Sequence, residues 1–318
     1  MSGYTIHKLE RENFPLLIPL MQDCFGMEVD ITYFEWKFKD NPSGFAEGFY
    51  AKDEKGEVAA YYGVIPETYV INGEKRVIYQ SCDTMTHSNH RRKGLFRMLA
   101  MHCYDLLREQ NKLFIIGFGG GESTPGFLKF GWKEIFKVRY YFYPKLLTGL
   151  SGRDFSMVEE VSDLGVIEHL TLKSNEHAQI HSFKNKEIFC WRTSNPLHVY
   201  KTIAVKDGSE YCSYLTYYKQ KDKLILFDFY ADPSGKGRQL FNYLKAAMGK
   251  DTKGIVAFLQ ENSLQSRLLK KYGFIRNPFN RGPLHERVPF IFYASENEME
   301  QFDKSTFWAI HSFDHDAL

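Results

Sequence analysis

Leu95, Met98, Leu99, His102, Cys103, Leu106 and Leu107 recur three and four positions apart, with Arg97, Asp105, Arg108 and Glu109 largely between them. That spacing predicts one amphipathic helix over Leu95 to Gln110. Upstream, Tyr79 to His87 reads as a strand; downstream, Leu113 to Phe118 reads as a strand buried on both faces, because its apolar run ends abruptly in glycines. Strand, turn, helix and strand make a βαβ unit with a right-handed crossover. Ligands of such sheets sit beyond the carboxyl ends of the strands. The sequence puts a basic glycine turn there, Asn89-His90-Arg91-Arg92-Lys93-Gly94, and a second turn, Gly119-Gly120-Gly121. Backbone N–H groups at a helix N-terminus, ringed by Arg and Lys, suit a phosphate. A solvated loop is the bland alternative for three basic residues, and the amphipathic helix directly behind them argues against it.

The pattern occurs twice. Phe34-Glu35-Trp36-Lys37 leads to Asn41-Pro42, an extended stretch Phe49 to Asp53 and an arm at Val58 to Ile65. Phe189-Cys190-Trp191-Arg192 leads to Asn195-Pro196, then Lys201 to Lys206 and an arm at Tyr211 to Tyr218. The Trp pair is offset by 155 residues, the Asn-Pro pair by 154, and Phe130-Gly131-Trp132 against Tyr272-Gly273-Phe274 by 142. Three matches in one order point to a tandem duplication with shorter insertions in the second copy. Gly149-Leu150-Ser151-Gly152 is the linker candidate, which divides the chain into 1–148 and 149–318.

Composition narrows the class. Aromatics at 16% favour sheet-containing architecture. A net charge of +2 gives no field for nucleic acid. Five scattered cysteines without CxxC spacing argue against a disulfide framework and a structural zinc site. Met1 to Arg11 is polar, and the apolar stretch Phe14 to Met21 is too short to cross a bilayer. The expectation is a cytoplasmic protein without membrane attachment.

The strand Asp83-Thr84-Met85-Thr86-His87, followed by Arg91-Arg92-Lys93-Gly94-Leu95-Phe96 and later by Phe130-Gly131-Trp132, resembles the GNAT superfamily of acetyl-CoA-dependent acyltransferases. Its signature wants Arg or Gln, two residues, Gly, one residue, then Gly or Ala; Phe96 departs at the last position and must point away from the pyrophosphate. The resemblance covers residues 1 to about 143 well and the second half weakly. It implies an α/β fold of tandem GNAT-like domains, each a central mixed sheet with two splayed parallel strands, flanked by helices. It also implies acetyl-CoA as co-substrate and no metal. Arg91, Arg92, Lys93, Gly94, Leu95 and Phe96 would hold the diphosphate. The exposed backbone of Met85 and Thr86 would pair with the pantetheine arm and polarise the thioester carbonyl.

Catalytic groups are harder to place. The position of the family's usual general-acid Tyr, four residues before the Gly of the aromatic-Gly-aromatic element, holds Phe127 in the first copy and Leu269 in the second. The usual Asn after the second strand is replaced by a neighbourhood of Gly120 and Glu122. Asp83, in an otherwise apolar or small strand, is the first candidate and Glu122 the second, since a carboxylate there needs a partner or a role. A hydrogen bond from Asp83 to a neighbouring loop is the bland alternative; His87 reads as structural. In the second copy, Asp232 replaces the basic residue of the turn in one alignment and Gln239 replaces Gly94 in the other, so that half is expected to keep the scaffold and to shape the acceptor pocket. The tail, Val288 to Tyr293, reads as a closing strand, and three adjacent residues Asp314-His315-Asp316 cannot all face one metal ion. A Trp followed by a terminal Asp-x-Asp is similar to two-lobed relatives, a resemblance that implies acceptor recognition by Asp314 or Asp316. The leading expectation is transfer of an acetyl group from acetyl-CoA to a small-molecule primary amine within a ternary complex. Its rivals are a tRNA-dependent aminoacyl transferase and a non-catalytic acyl-CoA-binding module.

Overall fold

The computed structural model describes residues 3–120, 123–150, 154–277, 287–302 and 306–316. The first half lays down β1 (Tyr4–Lys8), α1 (Ile18–Phe25), α2 (Ile31–Phe34) running into a wide π turn (Glu35–Lys39), β2 (Glu47–Asp53), β3 (Val58–Ile71) and β4 (Glu74–Thr86). It continues with α3 (Leu95–Glu109), β5 (Phe114–Phe118), α4 (Thr124–Lys129) and β6 (Lys133–Pro144). The second half repeats the plan after β7 (Val158–Glu160), α5 (Glu168–Lys173) and β8 (Ile180–Ser182): α6 (Lys186–Thr193), β9 (Tyr200–Asp207), β10 (Glu210–Gln220), β11 (Lys223–Tyr230), α7 (Arg238–Ala246), β12 (Gly254–Gln260) and α8 (Leu264–Lys271). Then come β13 (Ile275–Arg276), β14 (Arg287–Ala294), α9 (Glu296–Gln301) and β15 (Trp308–Ala309).

The helix read from the apolar stripe is α3. Leu95, Leu99, Ala100, Cys103, Tyr104 and Leu107 bury against Tyr62, Tyr79 and Ile115 on one face of the sheet. On the other face, the helical turn Arg11–Leu17, α2 and the π turn bury Phe14, Phe34, Trp36 and Phe38 against Tyr61, Cys82 and Met85. The five cysteines are free.

One sheet runs through both halves in the order β1-β2-β3-β4-β5-β14-β6-β12-β11-β10-β9-β7. The expected closing strand is therefore not at an edge. β14 lies between β5 and β6, antiparallel to both, with Phe292 opposite Ile116 and Phe290 opposite Phe136. Its apolar run fits a strand covered on both faces. β6 in turn pairs with β12. Each half thus lends a strand next to the other's splayed pair, so the expected boundary between residues 148 and 149 does not separate two sheets. The proposed linker begins inside a short helical turn, Lys145–Leu150.

The halves meet about a pseudo-two-fold axis marked by the two tryptophans. Trp36 Nε1 donates to the Trp191 carbonyl at 2.7 Å and Trp191 Nε1 donates to the Trp36 carbonyl at 2.8 Å. Their rings stack with centroids 5.5 Å apart. A self-complementary contact of this kind is what equivalent surfaces make across a two-fold axis.

Candidate active site

The basic turn after β4 is held from both sides. Asp23 on α1 accepts from the Ser88 amide (2.8 Å) and hydroxyl (3.0 Å), and Tyr4 on β1 bonds His90 Nδ1 at 2.8 Å. The Ser88 amide, first among these contacts, holds the Asp23 carboxyl below its usual range. Arg92 and Gly94 both adopt left-handed backbone, with φ 63° and 76°, around Lys93. Gly94 caps α3 without any side-chain hydrogen bond to the first turn, so the leading amides of the helix are left for another acceptor. Arg91, Arg92 and Lys93 are exposed around it. Phe96 points away from this turn, as the resemblance required. It lies edge-on to Phe127 (5.0 Å) and near Phe130 (5.1 Å), and a Cβ on Gly126 would come within 2.9 Å of its ring.

β4 and β5 pair in parallel only at Tyr79–Ile115 and Gln80–Ile116, then part. The gap opens at the turn's mouth. His87 N–H goes to the Ala59 carbonyl on β3 (2.9 Å), so alternation along the strand turns the Thr86 N–H away from β3 and into the gap, and the Met85 N–H towards β3. The Thr86 amide faces the Cys24 thiol, whose pKa burial pushes up and that amide pulls back. Arg91 Nε reaches the Thr86 carbonyl at 3.5 Å. Phe127, at the position of the family's usual Tyr, is buried 4.6 Å from the Trp132 ring and offers no proton. Glu122 lies outside the described residues. Thr124 caps the Gly120 carbonyl at 2.7 Å.

Asp83 sits in a β-bulge. Tyr61 pairs with Met85 and Gly63 with Cys82, so Asp83 and Thr84 together face Tyr62, and Asp83 takes φ 45°. The bulge aims its carboxylate at Lys37, which sequence reasoning left unassigned. Lys37 Nζ donates to Asp83 Oδ1 (3.0 Å) and lies 2.9 Å from Oδ2; it also donates to Asp316 Oδ2 (3.1 Å) and the Tyr33 hydroxyl (3.1 Å). Burial opposes the ammonium, but Asp83, Tyr33 and Asp316 outweigh it and hold Lys37 charged. The two carboxyls diverge. Burial first, and Asp316 after it, push Asp83 up against the pull of Lys37, whereas Lys37 and His315 bring Asp316 down despite its burial. The signal for Lys37 was its place among Tyr33, Phe34, Trp36 and Phe38, four residues after Tyr33 on one helical face.

Asp316 arrives on a tail that first threads the second half. β11 and β12 pair from Lys223–Gly254 to Leu226–Ala257 and then part, as β4 and β5 do. There the tail enters. Gln260 N–H donates to the Ile310 carbonyl (3.0 Å), Leu259 bridges to His311, and the Phe258 N–H donates to Ser312 Oγ (3.0 Å). Lys184 bonds Asp228 at 2.8 Å and His311 at 3.0 Å beneath it. Asp314 is buried, accepting from the His311 amide (2.8 Å) and the Tyr69 hydroxyl (3.2 Å). Gln80 Nε2 donates to the Asp314 carbonyl (2.6 Å), Arg192 to the Phe313 and His315 carbonyls (2.6 and 2.8 Å), and His315 stacks on Phe118 at the mouth of the first gap. In the second half's turn, Asp232 accepts from the Ser234 amide at 2.7 Å, placing a negative charge where a phosphate would bind. Among the described residues, no cluster of three His, Cys, Asp or Glu side chains is arranged to hold a metal, and no helix is long and apolar enough to cross a membrane.

Residues 5–135 match the family model described as the acetyltransferase (GNAT) domain. Comparison with curated protein sequences gives no significant match. Among solved structures, the chain is similar to a conserved protein of Enterococcus faecalis described as a probable N-acyltransferase, with TM-score 0.72 and 11% identity over 93% of this chain and 73% of that one. A GCN5-related N-acetyltransferase from Anabaena variabilis gives TM-score 0.69 and 12% identity, covering 92% and 72%. N-myristoyltransferase of Saccharomyces cerevisiae with bound myristoyl-CoA gives 0.65 and 13%, covering 92% and 80%. At these identities the likeness of structure speaks for the fold, and the family model speaks for the first half. Residues 5–135 are thus similar to the GNAT acetyltransferase domain, in a fold that N-acyltransferases share.

Proposed function

We propose that the chain transfers an acetyl group from acetyl-CoA to a primary amine by direct attack within a ternary complex in the cytoplasm. The match of residues 5–135 to the GNAT domain model supports acyl transfer in general, and the observation that carries the cofactor is the uncapped turn at Arg92 to Phe96 opening onto the β4–β5 gap. In this reading the amides of the turn, with Arg91, Arg92 and Lys93, bind the diphosphate. The pantetheine arm lies along β4, and the Thr86 N–H faces the thioester carbonyl, where it stabilises charge that develops on oxygen. The amine attacks the carbonyl carbon, the C–S bond breaks with its electron pair leaving on the coenzyme A sulfur, the ammonium proton passes to Asp83, and the released thiolate takes its proton from water. Asp83 suits that task because burial and Asp316 raise its proton affinity while Lys37 keeps it ionised. The second half binds no cofactor of its own; it holds the tail and shapes the acceptor side.

Phe127 supports a second reading, a protein that binds acyl-CoA without turnover, because no hydroxyl stands at the place of the usual acid. Two measurements separate the readings. Acetyl-CoA at about a hundred times its Kd is expected to stabilise the fold by about 2.7 kcal/mol in a thermal shift, and Gly94→Glu to abolish the shift. Thiol release from acetyl-CoA with an amine panel marks the enzyme. A shift without thiol release leaves only the binder, and no shift at all removes both.

A further inference from the structure

We infer that Lys37 is a positioning residue for acyl transfer: its ammonium locks the chain's own tail, through Asp316, against Asp83 at the open end of β4 and thereby sets the charge of that carboxylate. The inference rests on the acyl-transfer reading above.

Taking an ammonium and two carboxylates out of water costs several kcal/mol per ion, and well-packed apolar side chains of similar volume usually serve stability as well or better. Lys37 is nonetheless fully buried, with partners from three separate segments: Tyr33 on α2, Asp83 on the β4 bulge and Asp316 on the tail. The backbone is shaped to put it there. The Asp40 amide donates to the Glu35 carbonyl (2.8 Å), the wide turn of a π-helix, a feature that is common at functional sites. Asp83 contributes an equally uncommon left-handed bulge. The tail is already fixed as far as His315 by β12, by Gln80 and by Arg192, so Lys37 is the last anchor before the gap. Asp83 Oδ2 lies within 2.9 Å of the ammonium but outside hydrogen-bond alignment, which leaves that oxygen with an unsatisfied lone pair.

The charges facing Asp83 can be taken element by element. Lys37 and Tyr33 face it from the helical side, Cys82 lies beside it on its own strand, and Tyr61 approaches from β3. Asp316 faces it from the tail, itself flanked by His315 and by Arg192 of α6. Glu67 on β3 lies within the field of Lys37, Asp316 and Arg192. Lys37 with Asp83 and Asp316 carries a net charge of −1, so each member controls the proton affinity of the others.

The signature is a pair of opposite shifts. Removing the cation in Lys37→Met leaves two carboxylates to share a proton, and the acid limb of the kcat–pH profile moves up by about one unit or more. Removing the like charge in Asp316→Asn moves the same limb down, and Lys37→Arg holds it within about half a unit of the parent. Acetyl-CoA affinity stays within about twofold in all three, since the diphosphate turn is untouched. A residue that merely supports the fold would lower kcat without moving the limb. Should Lys37→Met fail to fold by circular dichroism, the isosteric Asp316→Asn carries the test alone. A limb unmoved or raised in Asp316→Asn overturns the inference while the parent's turnover leaves the acyl-transfer reading standing. A parent with no turnover overturns both.

Discussion

Replacing Trp36 by Phe tests whether the halves are joined through their pseudo-two-fold axis. The change deletes the Nε1–H donor that sits 2.7 Å from the Trp191 carbonyl in a buried contact; that carbonyl keeps the Ser194 amide (3.1 Å) and hydroxyl (2.8 Å), so the lost hydrogen bond costs about 0.5–1.5 kcal/mol. Shrinking the ring in a close-packed site adds about 1–2 kcal/mol. The single variant should therefore lose about 2 kcal/mol, and Trp191→Phe, which removes the Nε1–H donor to the Trp36 carbonyl, about the same. The two costs are not independent, because each variant also breaks the one stacked ring pair, worth about 0.5–1.5 kcal/mol. The double variant should cost less than the sum by about 1 kcal/mol. Urea unfolding followed by far-ultraviolet circular dichroism measures all four corners without relying on tryptophan fluorescence. Singles that cost under about 1 kcal/mol, or a double additive within about 0.3 kcal/mol, would refute the reasoning.

Two further expectations concern the interior. Burial, opposed by Arg192, raises the Glu67 carboxyl to about 7 from an ordinary 4.5. A raised carboxyl binds its proton more tightly in the folded state, so its contribution is present below about pH 4.5 and is lost as pH climbs to about 7, a difference on the order of 3 kcal/mol. Glu67→Gln should flatten the fall in stability across that window, and an unchanged slope in denaturation curves at pH 5 and pH 8 would exclude the assignment. Ser312→Ala removes the hydroxyl that accepts from the Phe258 amide inside the second gap and should cost about 1–2 kcal/mol. A loss under about 0.3 kcal/mol would mean that the tail does not hold that gap closed.

What could be read from the residues was local. The stripe from Leu95 onward gave α3 to within a residue, because helical periodicity is a property of one contiguous segment. The Trp and Asn-Pro matches anticipated the repeated plan, and those tryptophans proved to touch. The turn at Arg91 to Phe96 stands at the helix N-terminus beside the gap, where its spacing placed it. Long-range pairing was not legible. Val288 to Tyr293 looks the same whether it closes an edge or enters between β5 and β6, since both leave an apolar run. Lys37 carried only the signal of its apolar neighbours, because a lysine type reads as surface and its partners Asp83 and Asp316 meet it only in the folded chain. Asp83 attracted notice as a charge in a strand, but its bulge depends on how β3 pairs with β4.

The most direct test is a crystal structure with coenzyme A bound. The diphosphate oxygens should lie about 3 Å from amide nitrogens between Arg92 and Phe96, with the pantetheine arm entering between β4 and β5. Coenzyme A seated instead on the turn from Asp232 to Gly237, or density at neither place under saturating ligand, would contradict the assignment of the acyl donor site.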